Sequence, residues 1–352
     1  MSARHAAPKQ RAARRGRWLL VGVGVIVLLA LVGVVLRHRS TTAGSSATTA
    51  GGSPTTTTTT IPIAPLTGLP DPSGFATHHP ALTVKIENTP EAMPQWGLDQ
   101  ADVVYEEIVN GGITRLAAVF NSHDPAKIGP IRSVRPTDAQ ILDPLGGIFA
   151  FSGGAPYALA AIASSPVDQV QESNAGTAMF RDLARVAPHN LYGIGSALFK
   201  FHGAPVPPHP LFTYRRAGTA PTGAAAASVT VPFPSIYAVT WTWDASRHGY
   251  DRTLFGQPVI TGTGAPVAPA NVLVMWVPYV NGVGTFTSYV NLLGSGPVAL
   301  FSDGHEVRGT WTHTNAFAPV AYHTRSGAAL ALTPGQTWVE LLNAGAVLQV
   351  QK

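Results

Sequence analysis

Apolar and polar residues are unevenly distributed along this chain of 352 residues. An unbroken apolar run of 19 residues, WLLVGVGVIVLLALVGVVL at 18–36, has the length that a helix needs to cross a hydrocarbon core of roughly 30 Å. Residues 1–17 carry six Lys or Arg residues and no acid, whereas the other flank offers only Arg37 and Arg39. The positive-inside rule therefore predicts a single-pass transmembrane helix with a cytoplasmic basic tail and an extracytoplasmic remainder.

A cleavable signal peptide is the alternative interpretation of this run. Its apolar core is normally about 7–15 residues long and is followed by small residues, whereas RHRS follows here. The sequence contains no cysteine, so we expect neither a lipid-modified cysteine nor a disulfide. Residues 37–64 are rich in Ser, Thr, Gly and Pro, which predicts a disordered tether between the membrane and the globular part.

From residue 65 onwards, short apolar runs alternate with turn residues. ALTVKIEN (81–88) predicts a strand, and the runs on either side of Asn110-Gly111-Gly112 predict a β-hairpin, because Asn-Gly tolerates positive φ. IGPIRSV predicts a further strand that ends at Pro136, and TDAQILDPLG predicts a helix with Thr137 as its N-cap. GGIFAFSGG predicts a buried strand and PYALAAIASS a second helix. This alternation predicts an N-terminal α/β domain over residues 65–217.

The pattern changes near Ser228, where aromatic and β-branched runs follow one another with glycine turns such as Ser302-Asp303-Gly304. It predicts a smaller, mostly antiparallel β domain over residues 228–352. The Ala- and Gly-rich stretch at 215–227 predicts a linker or surface insertion between the two domains. The aromatic rings of Trp241, Trp243 and Tyr250 could stack on a sugar, but aromatic residues at strand spacing more often belong to a core.

Charge narrows the possible functions. All 18 acids lie after residue 40, together with 15 of the 23 Lys and Arg residues, so the predicted outer part is mildly acidic. This balance gives no support to nucleic-acid binding. The His and Asp residues lack metal-ligand spacing, and neither a glycine-rich phosphate loop nor a dinucleotide fingerprint is present. We therefore expect no metal and no cofactor.

The segment KIGPIRSVRP (127–136) places Arg132 and Arg135 between two prolines. A guanidinium is a planar fork of donors that fits a phosphate or carboxylate, so we predict that Arg132, Arg135 and Arg115 line an anion site. Residues three apart on an extended segment point to opposite faces, so the two arginines converge only if the chain turns at Ser133-Val134. The alternative is structural: pairing with Glu106, Glu107 or Asp138 would lock the hairpin to the following helix.

A second group of polar residues lies in FRDLARVAPHNLYG (180–193). The spacing predicts a short helix with an ion pair between Asp182 and Arg185. Arg181, His189 and Asn190 then form a predicted ligand-binding group, in which His189 and Asn190 serve as an acid or a polar clamp. The alternative is a structural turn in which these polar side chains only hydrogen-bond to other groups of the protein.

Several motifs occur in an order that resembles the YerB-like family of exported bacterial proteins. They are PLTGLP, KIENTPEAMPQWGLDQADVVYEEIVNGGITRLAAVF, KIGPIRSVRPTDAQI, FSGGAPYAL, FRDLARVAPHNLY, GYDR, NVLVMWV, GSGPVALFSDGHEVRGTW and LTPGQTWVELL. The resemblance spans roughly residues 65–345 and implies an N-terminal α/β domain followed by a smaller β domain. It implies no activity, because the family is one of unknown function. Family members anchored through a lipidated cysteine differ from this chain, in which the predicted helix takes that role.

The order of elements around the arginines is also similar in layout to the LytR-CpsA-Psr phosphotransferases, which hold a polyprenyl pyrophosphate with several arginines. Two functions therefore stay open. The first is a non-catalytic envelope protein whose arginine-lined cleft binds an anionic cell-wall component or partner. The second is a transferase or hydrolase acting on a phosphate-bearing glycan or polyprenyl-phosphate lipid carrier.

Overall fold

The computed structural model describes residues 61–216, 218–219 and 221–352. The transmembrane helix predicted at 18–36 and nearly all of the tether predicted at 37–64 lie outside these residues. Within the described ranges, every helix is too short or too polar to cross a membrane. The described residues all lie within one compact unit.

Strands dominate the described part, and its three α-helices are short. The helices are α1 (Thr137–Leu142), α2 (Pro156–Ile162) and α3 (Gly195–Leu198). The strands of the first half are β1 (Leu82–Glu87), β2 (Val103–Ile108), β3 (Thr114–Phe120), β4 (Gly147–Ala150), β5 (Val167–Val170), β6 (Met179–Arg181), β7 (Leu191–Gly193) and β8 (Thr213–Tyr214). Those of the second half are β9 (Ala224–Ala225), β10 (Ser228–Val231), β11 (Val239–Asp244), β12 (Gly249–Leu254), β13 (Gln257–Pro258), β14 (Asn271–Val277), β15 (Tyr279–Val280), β16 (Tyr289–Val290), β17 (Gly294–Ser302), β18 (His305–His313), β19 (Ala321–Thr324), β20 (Ala331–Leu332), β21 (Thr337–Asn343) and β22 (Gln349–Gln351).

The largest sheet contains strands from both halves of the chain. Its order is β19-β18-β17-β14-β21-β2-β3-β1-β4-β5, with β9 also paired to β18. Strand β21 lies parallel to both β14 and β2, and β4 lies parallel to both β1 and β5. Because β3 is antiparallel to β1 and β2, these six strands run in the same direction. Their carboxyl ends lie along one edge, which we call the carboxyl edge.

A second sheet, in the order β13-β12-β11-β10-β22, covers one face of the large sheet. Trp241 from β11 packs against Trp338 from β21, with ring centroids 5.1 Å apart. Trp241 and Tyr250 are fully buried, so these aromatic residues belong to the core. On the opposite face, Tyr105 of β2 and Ile141 of α1 belong to a separate apolar cluster. The large sheet is therefore covered on both faces.

The two-domain, strand-rich architecture agrees with the sequence analysis, although helices are fewer than the predicted α/β pattern suggested. The strand at 81–88 and the hairpins at Asn110-Gly111-Gly112 and Ser302-Asp303-Gly304 are confirmed. The parallel pairs β14–β21 and β2–β21 show that the second half is not purely antiparallel. The limits 65–217 and 228–352 stay predictions.

Three local predictions are corrected. IGPIRSV is not a regular strand, and its three bridges are single ones, from Ile128 to Gly193, from Gly129 to Trp96 and from Ile131 to Ile86. Proline has no backbone N–H, so Pro130 interrupts any continuous ladder here. Helix α1 is confirmed, but Pro136 rather than Thr137 occupies the N-cap position.

The helix predicted at 180–185 is also wrong, because strand β6 and a turn occupy this segment. The Asp182 carboxylate accepts the Ala184 N–H at 3.0 Å, and the Asp182 N–H donates to the Asn190 carbonyl at 2.8 Å. These bonds offer the backbone an alternative to a helix.

Candidate functional site

Arg115 lies near the carboxyl edge, between two carboxylates in the register of the sheet. It is directly opposite Glu87 of β1 on one side and Glu107 of β2 on the other. Side chains directly opposite each other point to the same face, so all three face the side of the sheet that carries α1. Only 4% of the Arg115 surface is exposed.

The Arg115 guanidinium does not pair with either neighbour. Its Nη1 donates to the carbonyl oxygen and to Oγ of Ser133, at 3.2 and 3.0 Å. Among the described residues no carboxylate forms an ion pair with Arg115, and its Nε has no hydrogen-bond partner. The pKa of Arg115 is lowered to about 9, first by burial and then by the nearby Arg135 and Arg132, while Glu87 and Glu107 oppose the shift. Arg115 is thus a buried cation without full compensation.

Arg135 reaches the same serine from the other side. Its Nη1 donates to Oγ of Ser133 at 2.9 Å and to the Val134 carbonyl at 2.8 Å, and its Nη2 donates to Oδ1 of Asn110 at 2.6 Å. The Arg135 backbone N–H donates to the Asp138 carboxylate at 2.6 Å. Ser133 Oγ therefore accepts hydrogen bonds from both Arg115 and Arg135.

Arg132 faces Glu87 and the loop at 182–190. Its Nε lies 3.3 Å from Oε1 of Glu87, and its Nη1 donates to the Pro188 carbonyl at 3.4 Å. His189 Nδ1 lies 3.0 and 2.9 Å from the two oxygens of the same carboxylate. We call Arg115, Arg132 and Arg135 the arginine cluster. Among the described residues, one carboxylate pairs with a guanidinium group of the cluster, that of Glu87 with Arg132.

The second predicted group joins the cluster through Glu87. Asn190, next to His189, accepts a bond at 2.9 Å from Arg181 Nη1, while Arg181 Nε donates to Glu172 at 2.7 Å. The structure therefore places four of the six predicted ligand-binding residues in contact with Glu87 or Ser133, whereas Asn190 and Arg181 bond to each other beside them.

The predicted ion pair between Asp182 and Arg185 is not formed. Lys127 Nζ contacts Asp182 at 2.7 Å instead and lies 4.1 Å from the ring centroid of Tyr192. Arg185 donates to the carbonyls of Glu91 and Met93 at 2.7 and 3.0 Å. It therefore ties two loops together.

The carboxylates named in the structural alternative do not pair with the arginine side chains, although Arg132 pairs with another internal acid, Glu87. Glu107 and Asp138 contact Lys85 Nζ at 2.5 and 2.6 Å, and all three side chains are buried. Burial raises the pKa of Asp138, although Lys85 opposes the shift. Glu106 contacts Arg252 at 2.5 Å, among the core residues of the opposite face.

Sequence reasoning missed Lys85 and Glu87. Both occur in the apolar strand LTVKIE, where two charges at alternate positions indicate one shared polar face. That pattern was the available signal.

An open cavity of about 430 Å³ borders the cluster. It lies at the carboxyl ends of β4 and β5 and is lined by Ser152, Gly153, Gln171, Glu172 and Ser173. The Ser152 N–H donates to the Arg132 carbonyl at 2.9 Å, and Glu172 is the ion-pair partner of Arg181. The crevice beyond the carboxyl ends of parallel strands is the usual place for a ligand in open sheets.

Comparisons with known proteins give the family. Residues 66–203 match the family model of the N-terminal domain of a protein of unknown function, DUF3048, and residues 229–339 match that of its C-terminal domain. The chain belongs to this family. It is 28% identical over 293 residues to YerB of Bacillus subtilis strain 168, a protein designated a lipoprotein, covering 79% of this chain and 86% of YerB. The predicted membership of the YerB-like family is confirmed.

The fold is also similar to a solved one. The crystal structure of YerB from Bacillus subtilis matches with a TM-score of 0.72 and 25% identity, over 82% of this chain and 99% of that one. The match supports the two-domain, strand-rich architecture.

Proposed function

We propose that the protein is a membrane-anchored, extracytoplasmic envelope protein that binds an anionic cell-wall component or partner through the arginine cluster. The lipoprotein designation of YerB supports a place at the membrane surface. The apolar run at 18–36 is the predicted anchor in this chain, which has no cysteine to carry a lipid.

The observation that carries this proposal is the charge balance around Arg115. A buried ion without a partner is costly, so a fold that retains one usually gains something else from it. Arg132 and Arg135 bring two more guanidinium groups near Arg115, and Glu87 pairs with Arg132. A phosphate or carboxylate entering the cluster would supply the missing negative charge and accept bidentate hydrogen bonds.

Calorimetric titration of residues 61–352 with sulfate, pyrophosphate and muramic acid tests the proposal. We expect binding of at least one anion, weakened by roughly tenfold or more when Arg132→Lys and Arg135→Lys are combined, because Lys keeps the charge but loses the planar fork. The exposed Arg325 provides a matched control, and Arg325→Lys should leave the affinity unchanged. A wild type that binds none of the three anions would contradict an anion site.

One contact favours the catalytic alternative. Glu87 holds Nδ1 of the partly exposed His189, an arrangement that orients the imidazole and leaves Nε2 able to exchange a proton with a substrate. If the site is catalytic, the wild type should release phosphate from at least one member of a panel of phosphomonoesters and phosphodiesters. His189→Gln should abolish that release and retain anion binding. If the wild type binds anions but releases no phosphate, the catalytic alternative is wrong and only the binding function is supported.

A further inference from the structure

We infer that the surface around the arginine cluster docks on an anionic lipid bilayer, with the arginines toward the headgroups and two apolar loops at the acyl boundary. This inference rests on the proposed anion site and names its occupant as the phosphate of a lipid headgroup. Two loops with exposed apolar side chains, one on each side of the segment 132–135, carry it.

The first loop spans residues 182–190. Its turn exposes Leu183 and Val186, whose exposed fractions are 93% and 79%. This loop touches the cluster directly, because the Pro188 carbonyl accepts the hydrogen bond from Arg132 and the neighbouring His189 contacts Glu87. Single exposed aliphatic residues are ordinary on protein surfaces, but two on one turn beside a cation cluster form a specific combination.

The second loop spans residues 281–287 and exposes Val283 and Phe286, by 42% and 73%. Its Gly284 carbonyl accepts the Gly111 N–H at 2.8 Å, and the adjacent Asn110 accepts the bond from Arg135. Tyr157 Oη donates to the Phe286 carbonyl at 2.9 Å, which fixes the loop on α2. The segment 132–135 is therefore linked on one side to a loop with Leu183 and Val186, and on the other side to a loop with Val283 and Phe286.

Charge complementarity selects a lipid surface as the occupant. The sequence from residue 61 onwards holds 15 Lys and Arg residues against 18 acids, yet the partly exposed Arg132 and Arg135 both lie beside these loops, with the buried Arg115 behind them. Interfacial binding combines aliphatic and aromatic side chains that enter the acyl boundary with cations that pair with anionic headgroups. A protein partner would more commonly require a continuous packed patch, whereas these apolar side chains stand on two separate turns with the arginines between them.

Vesicle cosedimentation of residues 61–352, which lie within one compact unit, tests the inference. The vesicles are pure phosphatidylcholine, or an equal mixture of phosphatidylcholine and phosphatidylglycerol. We expect binding to the mixed vesicles only. Two double variants remove the apolar side chains of one loop each: Leu183→Ser with Val186→Ser, and Val283→Ser with Phe286→Ser. Each should weaken vesicle binding by roughly tenfold or more, because two apolar side chains are then no longer buried in the bilayer.

Matched control variants distinguish insertion of the two loops into the bilayer from nonspecific adsorption of the protein to vesicles. Ile63 and Leu69 are similarly exposed and lie near Thr67, which bonds to Gly335 at the amino end of β21, on the opposite edge of the sheet. Ile63→Ser with Leu69→Ser should leave vesicle binding unchanged. Arg132→Gln should weaken it, and Arg325→Gln should not.

Three outcomes would overturn the inference. In the first, wild-type protein stays in solution with the mixed vesicles while sulfate still binds to the cluster. This result would support the anion site and contradict binding to a lipid surface. Another is vesicle binding that the loop variants do not weaken, which would indicate adsorption by charge alone. In the third, the protein does not bind vesicles but associates with itself, and the loop variants abolish this self-association. The loops would then contact a second copy of the chain.

Discussion

Two sets of charged residues lie on the same face of the large sheet, and they differ in how their charges are balanced. In the first set, Lys85 contacts both Glu107 and Asp138 within 2.6 Å. In the arginine cluster, on the neighbouring part of that face, three guanidinium groups lie close together, and among the described residues one carboxylate, Glu87, pairs with them through Arg132. One cation faces two carboxylates in the first set, whereas cations are in excess in the second, so we expect the two sets to respond in opposite ways to mutation and to anions.

The largest effect should come from breaking the complete set. Lys85→Met leaves Glu107 and Asp138 buried side by side without their cation, so we expect a loss of about 3–5 kcal/mol in the free energy of unfolding. Urea denaturation of residues 61–352 measures it, and Lys200→Met at an exposed position is the matched control. A loss below about 1 kcal/mol would mean that the Lys85 set contributes little to the fold.

Arg115→Met should act in the opposite direction. Removing a buried cation that lacks an ion pair should raise the free energy of unfolding by about 1–4 kcal/mol in anion-free buffer. Ser133 keeps its bond from Arg135, so the substitution leaves it with a partner. Urea denaturation in a chloride-poor buffer checks the sign, and clear destabilisation would make Arg115 a structural residue.

The gap between wild type and Arg115→Met should depend on pH. The pKa of Arg115 is lowered to about 9 in the folded protein, so between that value and the ordinary arginine pKa the unfolded chain binds the proton more strongly. The stability of the wild type relative to the variant therefore rises with pH in this window, and the advantage of the variant shrinks between about pH 8 and about pH 10. Chemical denaturation of both proteins across this range measures the gap, and a gap that grows would reverse the assigned shift.

The smallest effect on stability should come from Arg132→Lys and Arg135→Lys. Both side chains are partly exposed, and Lys preserves their charge, so we expect each to change the free energy of unfolding by less than about 1 kcal/mol. Thermal melts in anion-free buffer give this value beside the weakened anion binding already described. A much larger loss in either variant would show that the arginines lock the hairpin to α1.

Local sequence patterns were sufficient for part of this fold. Alternating apolar residues and an Asn-Gly turn specified β1 and the β2–β3 hairpin. No local sequence pattern predicts that β21 lies between β14 and β2. The residues that pair between β2 and β21 are more than 200 positions apart along the chain. Such pairing depends on tertiary contacts rather than on propensity.

The candidate site was predictable to a similar degree. The rigid, proline-flanked segment indicated Arg132 and Arg135, and both guanidinium groups lie near Arg115, although residues 132–135 contain no assigned turn. Which acids would pair with the arginines was not predictable, because strand register puts Glu107 on the same face as Lys85, and because two loop segments bring Arg132 and His189 to Glu87. The hydrogen bonds of Asp182 overrode the helical spacing at 180–185.

The most direct test of the arginine cluster is a set of thermal melts with and without pyrophosphate, for the wild type, Lys85→Met and Arg115→Met. A ligand that binds only the folded state adds about 2.7 kcal/mol of stability at one hundred times its Kd. We expect the wild type and Lys85→Met to gain the same increment in the free energy of unfolding, and Arg115→Met to gain almost none. An equal gain in Arg115→Met, or no gain in the wild type, would contradict the assignment of the arginine cluster as an anion site.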